Sequence, residues 1–131
     1  MIVVDSSALV DLAFESGDAS ERVEVVLRRA GWALGAPHLV DVEVLSAARR
    51  LVLSGRATAE AAGARLDHLW RIGIRRFPHV DLRERIWELR EHVTAADAAY
   101  VALAEALDVP LVTTDRRLAR AHGFHVDVIV P

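Results

Sequence analysis

Short apolar runs alternate along the chain with longer stretches in which apolar residues recur every three or four positions. The short runs predict strands at residues 2–4, 33–36, 72–77, 111–113 and 126–130. The longer stretches predict helices at residues 6–14, 20–30, 37–55, 58–70, 81–92, 94–107 and 116–122. Within the strands the apolar residues are consecutive, as in a parallel sheet that is buried on both faces. The pattern therefore predicts an α/β fold, a three-layer α/β/α sandwich with a mainly parallel sheet.

Three local signals predict where helices begin. Ser20 is expected to cap the second helix, and Pro37 to open the third. Thr94 and Asp97 have the spacing of a capping box, which predicts the start of the sixth helix. The third helix is expected to have one apolar side, formed by Leu39, Val42, Val44, Leu45 and Leu51.

Length and composition favour one soluble domain that spans residues 1–131. Apolar residues make up 53 % of the chain and charged residues 27 %, which is typical of a compact globule. No apolar run approaches the roughly 20 residues that a membrane span needs, and the N-terminus does not resemble a secretory signal. We therefore expect a cytoplasmic protein. The absence of cysteine excludes disulfides and thiolate metal sites.

The charged residues argue against broad electrostatic attraction to nucleic acid, because the formal net charge is −3. All 16 basic residues are arginine. Arginine can contact a phosphate through two hydrogen bonds, which lysine cannot. A mechanism that requires a lysine is excluded.

Four acidic residues lie where an α/β sheet places its ligands, beyond the carboxyl ends of the strands. Asp5 and Asp115 directly follow predicted strands, while Glu43 and Asp97 lie in the first turns of predicted helices. Each acid alone has a structural explanation, as a helix cap or a solvated residue. If they converge, their mutual repulsion requires a cation or bound protons. Clustered carboxylates without cysteine favour Mg²⁺ or Mn²⁺ over zinc, and Thr113 and Thr114 would add hydroxyls beside the ion.

The segments around these acids resemble the motifs of the PIN-domain family. Residues 3–9, VVDSSAL, are similar to the opening of such a domain, in which an aspartate ends the first strand and a hydroxyl residue such as Ser6 follows. Residues 94–104, TAADAAYVALA, resemble the third acidic motif, and residues 110–119, PLVTTDRRLA, resemble the fourth. Glu43 corresponds to the second acidic position. The resemblance covers nearly the whole chain, whose length is typical of the VapC toxins within this family.

The resemblance implies a metal-dependent endoribonuclease whose acidic cluster is Asp5, Glu43, Asp97 and Asp115. It further implies a homodimer and neutralisation by a cognate VapB-like antitoxin of a type II toxin–antitoxin system. A cation at this cluster would activate a water for attack on the phosphodiester, so that no histidine base is needed. The expected products carry a 5′-phosphate and a 3′-hydroxyl.

Arginines near the acids are the candidates for binding RNA, because the acids themselves repel phosphate. Arg116, Arg117 and Arg120 lie closest to Asp115 in the sequence. Arg49 and Arg50 continue the helix that holds Glu43, and Arg49 is the preferred candidate of that pair. Each is also explained as part of a solvated helix face.

Three other functions compete with the nuclease. A phosphotransfer receiver domain needs a lysine, which the chain lacks. A haloacid-dehalogenase-like phosphatase needs an aspartate at the position of Ser7. A catalytically inactive PIN-like module that binds RNA or protein stays open as the alternative, although it gains nothing from four clustered acids.

Overall fold

The computed structural model describes all 131 residues, Met1–Pro131. Five parallel strands form one sheet in the order β3-β2-β1-β4-β5. Their bounds are Ile2–Val4 for β1, Leu34–Pro37 for β2, Ile74–Phe77 for β3, Leu111–Val112 for β4 and Val128–Ile129 for β5. Helices flank this sheet, so the prediction of an α/β fold with a parallel sheet is confirmed.

Seven α-helices connect the strands. They span Ser6–Phe14 (α1), Asp18–Arg29 (α2), Val40–Leu53 (α3), Ala59–Trp70 (α4), Arg83–Glu88 (α5), Ala95–Leu107 (α6) and Arg116–Ala119 (α7). The single helix predicted at 81–92 is instead α5 between two 3₁₀ turns, Val80–Leu82 and Leu89–Glu91. None of the helices combines the length and the apolar character that crossing a bilayer requires.

Strand β1 lies at the centre of the sheet and of the core. It pairs with β2 on one side and β4 on the other, and Val3 and Val4 are fully buried. Helix α6 packs against β1, β2 and β4. Its residues 98–104 are all buried, and most are alanine or another small residue. A helix that is apolar on every side belongs inside the molecule, and α6 is accordingly the most deeply buried helix.

Two predicted helix starts are wrong. Pro37 is the last residue of β2 and pairs with Phe77, and α3 begins three residues later at Val40. Proline is tolerated both at a strand end and in a first helical turn, so its presence alone did not decide between them. Ser20 lies inside α2, where its hydroxyl donates to the Leu12 carbonyl at 3.2 Å. Gly17, at φ +70°, reverses the chain and lets α2 begin at Asp18.

The apolar side predicted for α3 is also wrong in part. Val42 and Leu45 are 65 % and 49 % exposed, whereas Val40, Val44 and Ala48 are buried. The buried residues recur every four positions and face the core, while Val42 and Leu45 lie on the outer face. Apolar residues occur on both faces of α3, and the sequence alone did not show which face packs inward.

Candidate active site

The carboxyl ends of the adjacent strands β1 and β4 bring an N-terminal segment around Asp5 and a C-terminal segment around Asp115 together at one cavity. The two strands are adjacent and parallel, with Val4 level with Val112. Asp5 follows β1, and its backbone N–H donates to the Val112 carbonyl at 2.9 Å. Asp115 lies three residues beyond β4. The cavity, of about 430 Å³, is lined by Asp5, Ser6, Ser7, Val10, Asp11, Glu43, Ser46, Ala47, Arg50, Asp97, Asp115 and Arg117. All four predicted acids therefore line the same cavity.

Asp5 is the most deeply buried of these acids, with 4 % of its surface exposed. Its Oδ2 accepts hydrogen bonds from the hydroxyls of Ser7 at 2.6 Å and Thr113 at 2.7 Å. Its Oδ1 has one longer contact, to the Ser6 hydroxyl at 3.4 Å. Asp5 immediately precedes α1, yet its side chain makes no capping hydrogen bond to that helix. Helix capping therefore does not explain this carboxylate.

Hydroxyl groups join the Asp5 and Asp115 segments. The Thr113 hydroxyl, which is fully buried, also accepts the backbone N–H of Asp115 at 3.0 Å. The Ser7 hydroxyl accepts the backbone N–H of Thr114 at 3.1 Å. These bonds fix the β4–α7 connection against the start of α1, so the position of Asp115 depends on the same groups that orient Asp5.

Glu43 reaches the cavity from the first turn of α3. Its Oε1 accepts the Tyr100 hydroxyl at 2.8 Å, and its Oε2 lies 3.4 Å from the Ser6 hydroxyl. Burial raises the pKa of Glu43 above its usual value. The negative charges of Asp5 and Asp97 raise this pKa further, and the hydrogen bond from Tyr100 opposes the rise.

Asp97 lies in the first turn of α6, where its backbone N–H donates to the Thr94 hydroxyl at 3.2 Å. Thr94 is therefore the helix cap, as predicted, and the Asp97 side chain faces the cavity. Burial raises the pKa of Asp97, and the charge of Asp5 adds to the rise. The negative charge of Asp5 thus raises the pKa of acids on two different helices, Glu43 on α3 and Asp97 on α6.

Asp115 has two roles in the structure at once. Its Oδ1 caps α7 by accepting the backbone N–H groups of Arg117 at 2.8 Å and Leu118 at 3.4 Å. Its Oδ2 lies 3.4 Å from the guanidinium of Arg117, which is also 3.5 Å from Asp97. The capping and site explanations of Asp115 are therefore compatible, because each uses a different oxygen.

The donor chemistry of the cavity suits a hard divalent cation. Its acids and hydroxyls are all oxygen donors, and no histidine lines it. No three of the chain's carboxylate and imidazole groups surround a common point in the way a metal ion requires. The residues fit Mg²⁺ or Mn²⁺ in kind. Burial is the main cause of the raised pKa of Glu43 and Asp97, and the neighbouring carboxylates add a smaller rise that a cation would offset.

Only part of the predicted arginine set lines the cavity. Arg117 does, while Arg116 is exposed and pairs with none of the acids. Arg49 does not line the cavity, but its neighbour Arg50 does. Seven positions separate Arg50 from Glu43, which places the two residues on the same face of α3. The spacing of Glu43 and Arg50 is a sequence signal that favours Arg50 over Arg49.

Two further residues of the site were not singled out from the sequence. Ser7 holds Asp5, and Tyr100 holds Glu43. Tyr100 is three positions after Asp97 and so shares its helix face, a pattern that could have indicated it. Thr114 was predicted to contribute a hydroxyl, and here its backbone N–H makes the bond to Ser7.

A larger cavity, of about 790 Å³, lies elsewhere, among α1, α2 and α4. Only one acid, Glu24, lines it, and the exposed Arg28 of the same helix turn pairs with that acid. The larger cavity therefore holds no cluster of acids, whereas the smaller one brings four acids together.

Comparison with known proteins agrees with this geometry. The family described as "PIN domain" matches residues 2–123. Ribonuclease VapC1 of Mycobacterium tuberculosis is 45 % identical over 127 residues, which cover 96 % of this chain and 94 % of that protein. Among solved structures, PAE2754 from Pyrobaculum aerophilum has a TM-score of 0.71 at 26 % identity, with coverage of 97 % of this chain and 81 % of that one. A chain of a toxin–antitoxin complex from Klebsiella pneumoniae shares the fold, with a TM-score of 0.72 at 18 % identity and coverage of 100 % and 98 %. The chain belongs to the PIN-domain family, among the VapC ribonucleases.

Proposed function

We propose that this chain is a divalent-metal-dependent endoribonuclease, the toxin of a type II toxin–antitoxin pair, and that residues 1–131 form its single domain. The observation that carries the proposal is the convergence of Asp5, Glu43, Asp97 and Asp115 on one cavity. These acids come from four separate segments, and the most buried of them, Asp5, is oriented by the hydroxyls of Ser7 and Thr113. The ribonuclease relative described above supports RNA as the substrate, and the compartment that we propose is the cytoplasm.

The ligands proposed for Mg²⁺ or Mn²⁺ are Asp5, Asp97 and Asp115, with Glu43 binding directly or through water. A divalent ion bound there supplies Lewis-acid chemistry, which acidifies a water and offsets charge on the phosphodiester. Ser7 and Thr113 hold Oδ2 of Asp5 and leave Oδ1 with a single long contact, so this oxygen is the one free to act as a ligand. Tyr100 orients Glu43 by donating its hydroxyl hydrogen to Oε1 of that carboxylate.

The arginines that line the cavity, Arg50 and Arg117, are proposed to contact the RNA phosphates. Arginine suits this role because its planar guanidinium can bind two phosphate oxygens at once. Attack by water at the phosphorus, with the 3′ oxygen as leaving group, yields a 5′-phosphate and a 3′-hydroxyl. A product that ends in a 2′,3′-cyclic phosphate would contradict this course.

The first test is cleavage of a mixed RNA pool by purified protein with Mg²⁺, with Mn²⁺ or with EDTA. We expect cleavage that needs the ion and that falls at least 100-fold in Asp97→Asn, since electrostatic contributions of this kind are worth about 10²–10³ in rate. Asp67→Asn is the matched control, because Asp67 is an exposed acid on α4. Cleavage that survives both EDTA and Asp97→Asn would reject the mechanism. No cleavage of any RNA would favour the inactive binding module.

The proposal includes a cognate antitoxin protein of the VapB type. The structural neighbour from a toxin–antitoxin complex supports this partner class. We expect expression of the active chain to arrest bacterial growth and co-expression of the antitoxin to restore it, while Asp97→Asn alone leaves growth normal.

A homodimer is also proposed, with the outer face of α3 as its contact. Val42, Leu45 and Leu53 are 65 %, 49 % and 67 % exposed, and they share this face. Sedimentation of the wild-type chain and of Val42→Glu tests the assignment. A wild-type monomer, or a Val42→Glu dimer of unchanged affinity, would contradict it.

A further inference from the structure

Arg117 is the only basic side chain within ion-pair distance of any of the four acids of the site. Its guanidinium lies 3.5 Å from Oδ2 of Asp97 and 3.4 Å from Oδ2 of Asp115. A positive group therefore already bridges two of the carboxylates that the proposed function assigns to a metal ion.

The bridge is long and exposed, unlike the other arginine–carboxylate contacts between distant segments of this chain. Arg76 binds Asp41 through two hydrogen bonds of 2.7 and 3.0 Å, and its side chain is 30 % exposed. The Arg117 side chain is 75 % exposed, and both of its contacts exceed the roughly 2.7–2.9 Å of a strong charge-assisted bond. An exposed pair of this kind adds little stability, so the guanidinium can leave at low cost.

The backbone of Arg117 is fixed while its side chain is not. Its N–H donates to Oδ1 of Asp115 at 2.8 Å, as part of the cap of α7. The side chain can consequently swing away from the two Oδ2 atoms without moving the helix or the capping oxygen. Once it is displaced, it still lies at the rim of the same cavity, beside any phosphate that enters.

We propose that Arg117 is a built-in competitor of the divalent ion: it neutralises Asp97 and Asp115 in the metal-free protein, gives way when the ion binds, and is then released to contact the RNA phosphate. This inference rests on the proposed function and adds a form of regulation to it. Because the ion must displace the Arg117 side chain, the affinity of the site for the ion is lowered. The site therefore binds the ion only at a higher ion concentration than its four acids alone would require.

Two other roles for Arg117 predict different behaviour. If it were a permanent support that positions the acids, its removal would weaken metal binding. If it only contacted RNA, its removal would leave metal binding in the absence of RNA unchanged. Only competition predicts that removing the side chain tightens metal binding.

The test is Mn²⁺ binding to the metal-free protein by calorimetry, without RNA, for wild type, Arg117→Gln and Arg116→Gln. Arg116 is the matched control, because it is the neighbouring exposed arginine of α7 and pairs with none of the acids. Both variants lose one positive charge from the same helix turn, which isolates the effect of the bridge. We expect Arg117→Gln to bind Mn²⁺ roughly three- to tenfold more tightly than Arg116→Gln, as displacement of two weak exposed pairs allows. Arg117→Lys, which keeps the charge, should stay near wild type.

Equal affinity of Arg117→Gln and Arg116→Gln, or weaker binding by Arg117→Gln, would overturn the competition. Failure of every variant to bind Mn²⁺ would overturn it as well. RNA cleavage is measured separately, so a protein that cleaves RNA but shows equal Mn²⁺ affinities keeps the proposed function and loses this inference. If Arg117→Gln binds Mn²⁺ more tightly but the wild-type protein cleaves no RNA, the competition by Arg117 is kept and the proposed ribonuclease function is lost.

Discussion

At the scale of single residues, the site depends on side chains that hold the acids as much as on the acids themselves. Tyr100 is fully buried, and its hydroxyl donates to Glu43 at 2.8 Å. Outer groups of this kind orient a ligand and tune its basicity. Tyr100 belongs to the core, and its hydroxyl contacts an acid that lines the cavity, so this residue connects the core with Glu43.

Replacement of Tyr100 by Phe is expected to lower RNA cleavage or metal affinity about 10- to 100-fold, because Glu43 loses the bond that orients it. The ring remains, so the free energy of unfolding should change by no more than about 1.5 kcal/mol. The measurements are kcat and KM for a short RNA over a range of Mn²⁺ concentrations.

A double-variant cycle gives the control for this effect. Tyr100→Phe should add little to the defect of Glu43→Gln, since the two residues act through one contact. Additive losses, or an unchanged kcat at every Mn²⁺ concentration, would show that the hydroxyl does not act through Glu43.

The acids and the Thr113 hydroxyl beside Asp5 were predicted from the sequence, whereas Ser7 and Tyr100, which also hold the acids, were not. Asp5, Asp97 and Asp115 stand directly beside strand ends or helix caps, which are local signals. The contact of Tyr100 with Glu43 joins residues 57 positions apart, and no local rule specifies it. The choice between Arg49 and Arg50 needed the rotation of α3, which depends on which face of that helix packs inward.

At the scale of elements, the presence of the five strands and of the long helices was predicted correctly, whereas the starts of α2 and α3 and the inward face of α3 were not. The capping box of Thr94 and the all-apolar run after it specify α6 locally. Helix α3 carries apolar residues on both faces, so its orientation is set by its contacts with α1 and α4. The region 81–92 is broken into the six-residue helix α5 and two flanking 3₁₀ turns.

Contacts from α6 hold one of these broken elements and the C-terminal segment together. Glu105 of α6 accepts hydrogen bonds from Arg85 at 2.7 and 3.0 Å and from the backbone N–H of His125 at 2.8 Å. Burial favours the neutral form of Glu105, but these hydrogen bonds outweigh it and hold its pKa below the usual value. Ionised Glu105 therefore joins three segments.

The low pKa makes this contribution depend on pH. A carboxyl whose pKa is lower in the folded protein stabilises it above the unfolded pKa, and the stabilisation is lost as pH falls through the folded pKa. We expect Glu105→Gln to lower the free energy of unfolding by about 1–3 kcal/mol at pH 7. Below the ordinary glutamate pKa of about 4.5, the difference from wild type should shrink.

Urea unfolding at a series of pH values measures this effect. Glu88→Gln is the control, because Glu88 contacts the same Arg85 but is 54 % exposed, and exposed pairs contribute at most about 1 kcal/mol. A difference between wild type and Glu105→Gln that persists unchanged at acid pH would contradict the ion-pair explanation.

At the scale of the whole molecule, the net charge is −3, so the protein as a whole does not attract RNA. RNA binding is therefore expected to depend on a small number of arginines near the cavity. Arg50 lines the cavity, and its neighbour Arg49 does not. The salt dependence of RNA binding reports the number of phosphate contacts, with a slope of about 0.7 per contact for a single strand.

Replacing Arg50 by Ala should therefore reduce the slope of log affinity against log salt by about 0.7. Arg49→Ala is the matched control and should leave the slope unchanged. Binding of a labelled single-stranded RNA is measured in the Asp97→Asn background, where cleavage does not interfere. Equal slopes for the two variants would remove Arg50 from the RNA surface.

The central place of β1 has a consequence for the time at which activity appears during synthesis. The first strand made pairs with β4, and Asp5 is bound by Thr113, 108 positions later. Since chains are made from the N-terminus, a growing polypeptide has Asp5 long before it has the groups that orient it. The ribonuclease is translated among the messenger RNAs of its own cell. A chain that terminates before Thr113 lacks the groups that orient Asp5, so it is expected to be inactive, and activity is expected only when translation is nearly complete.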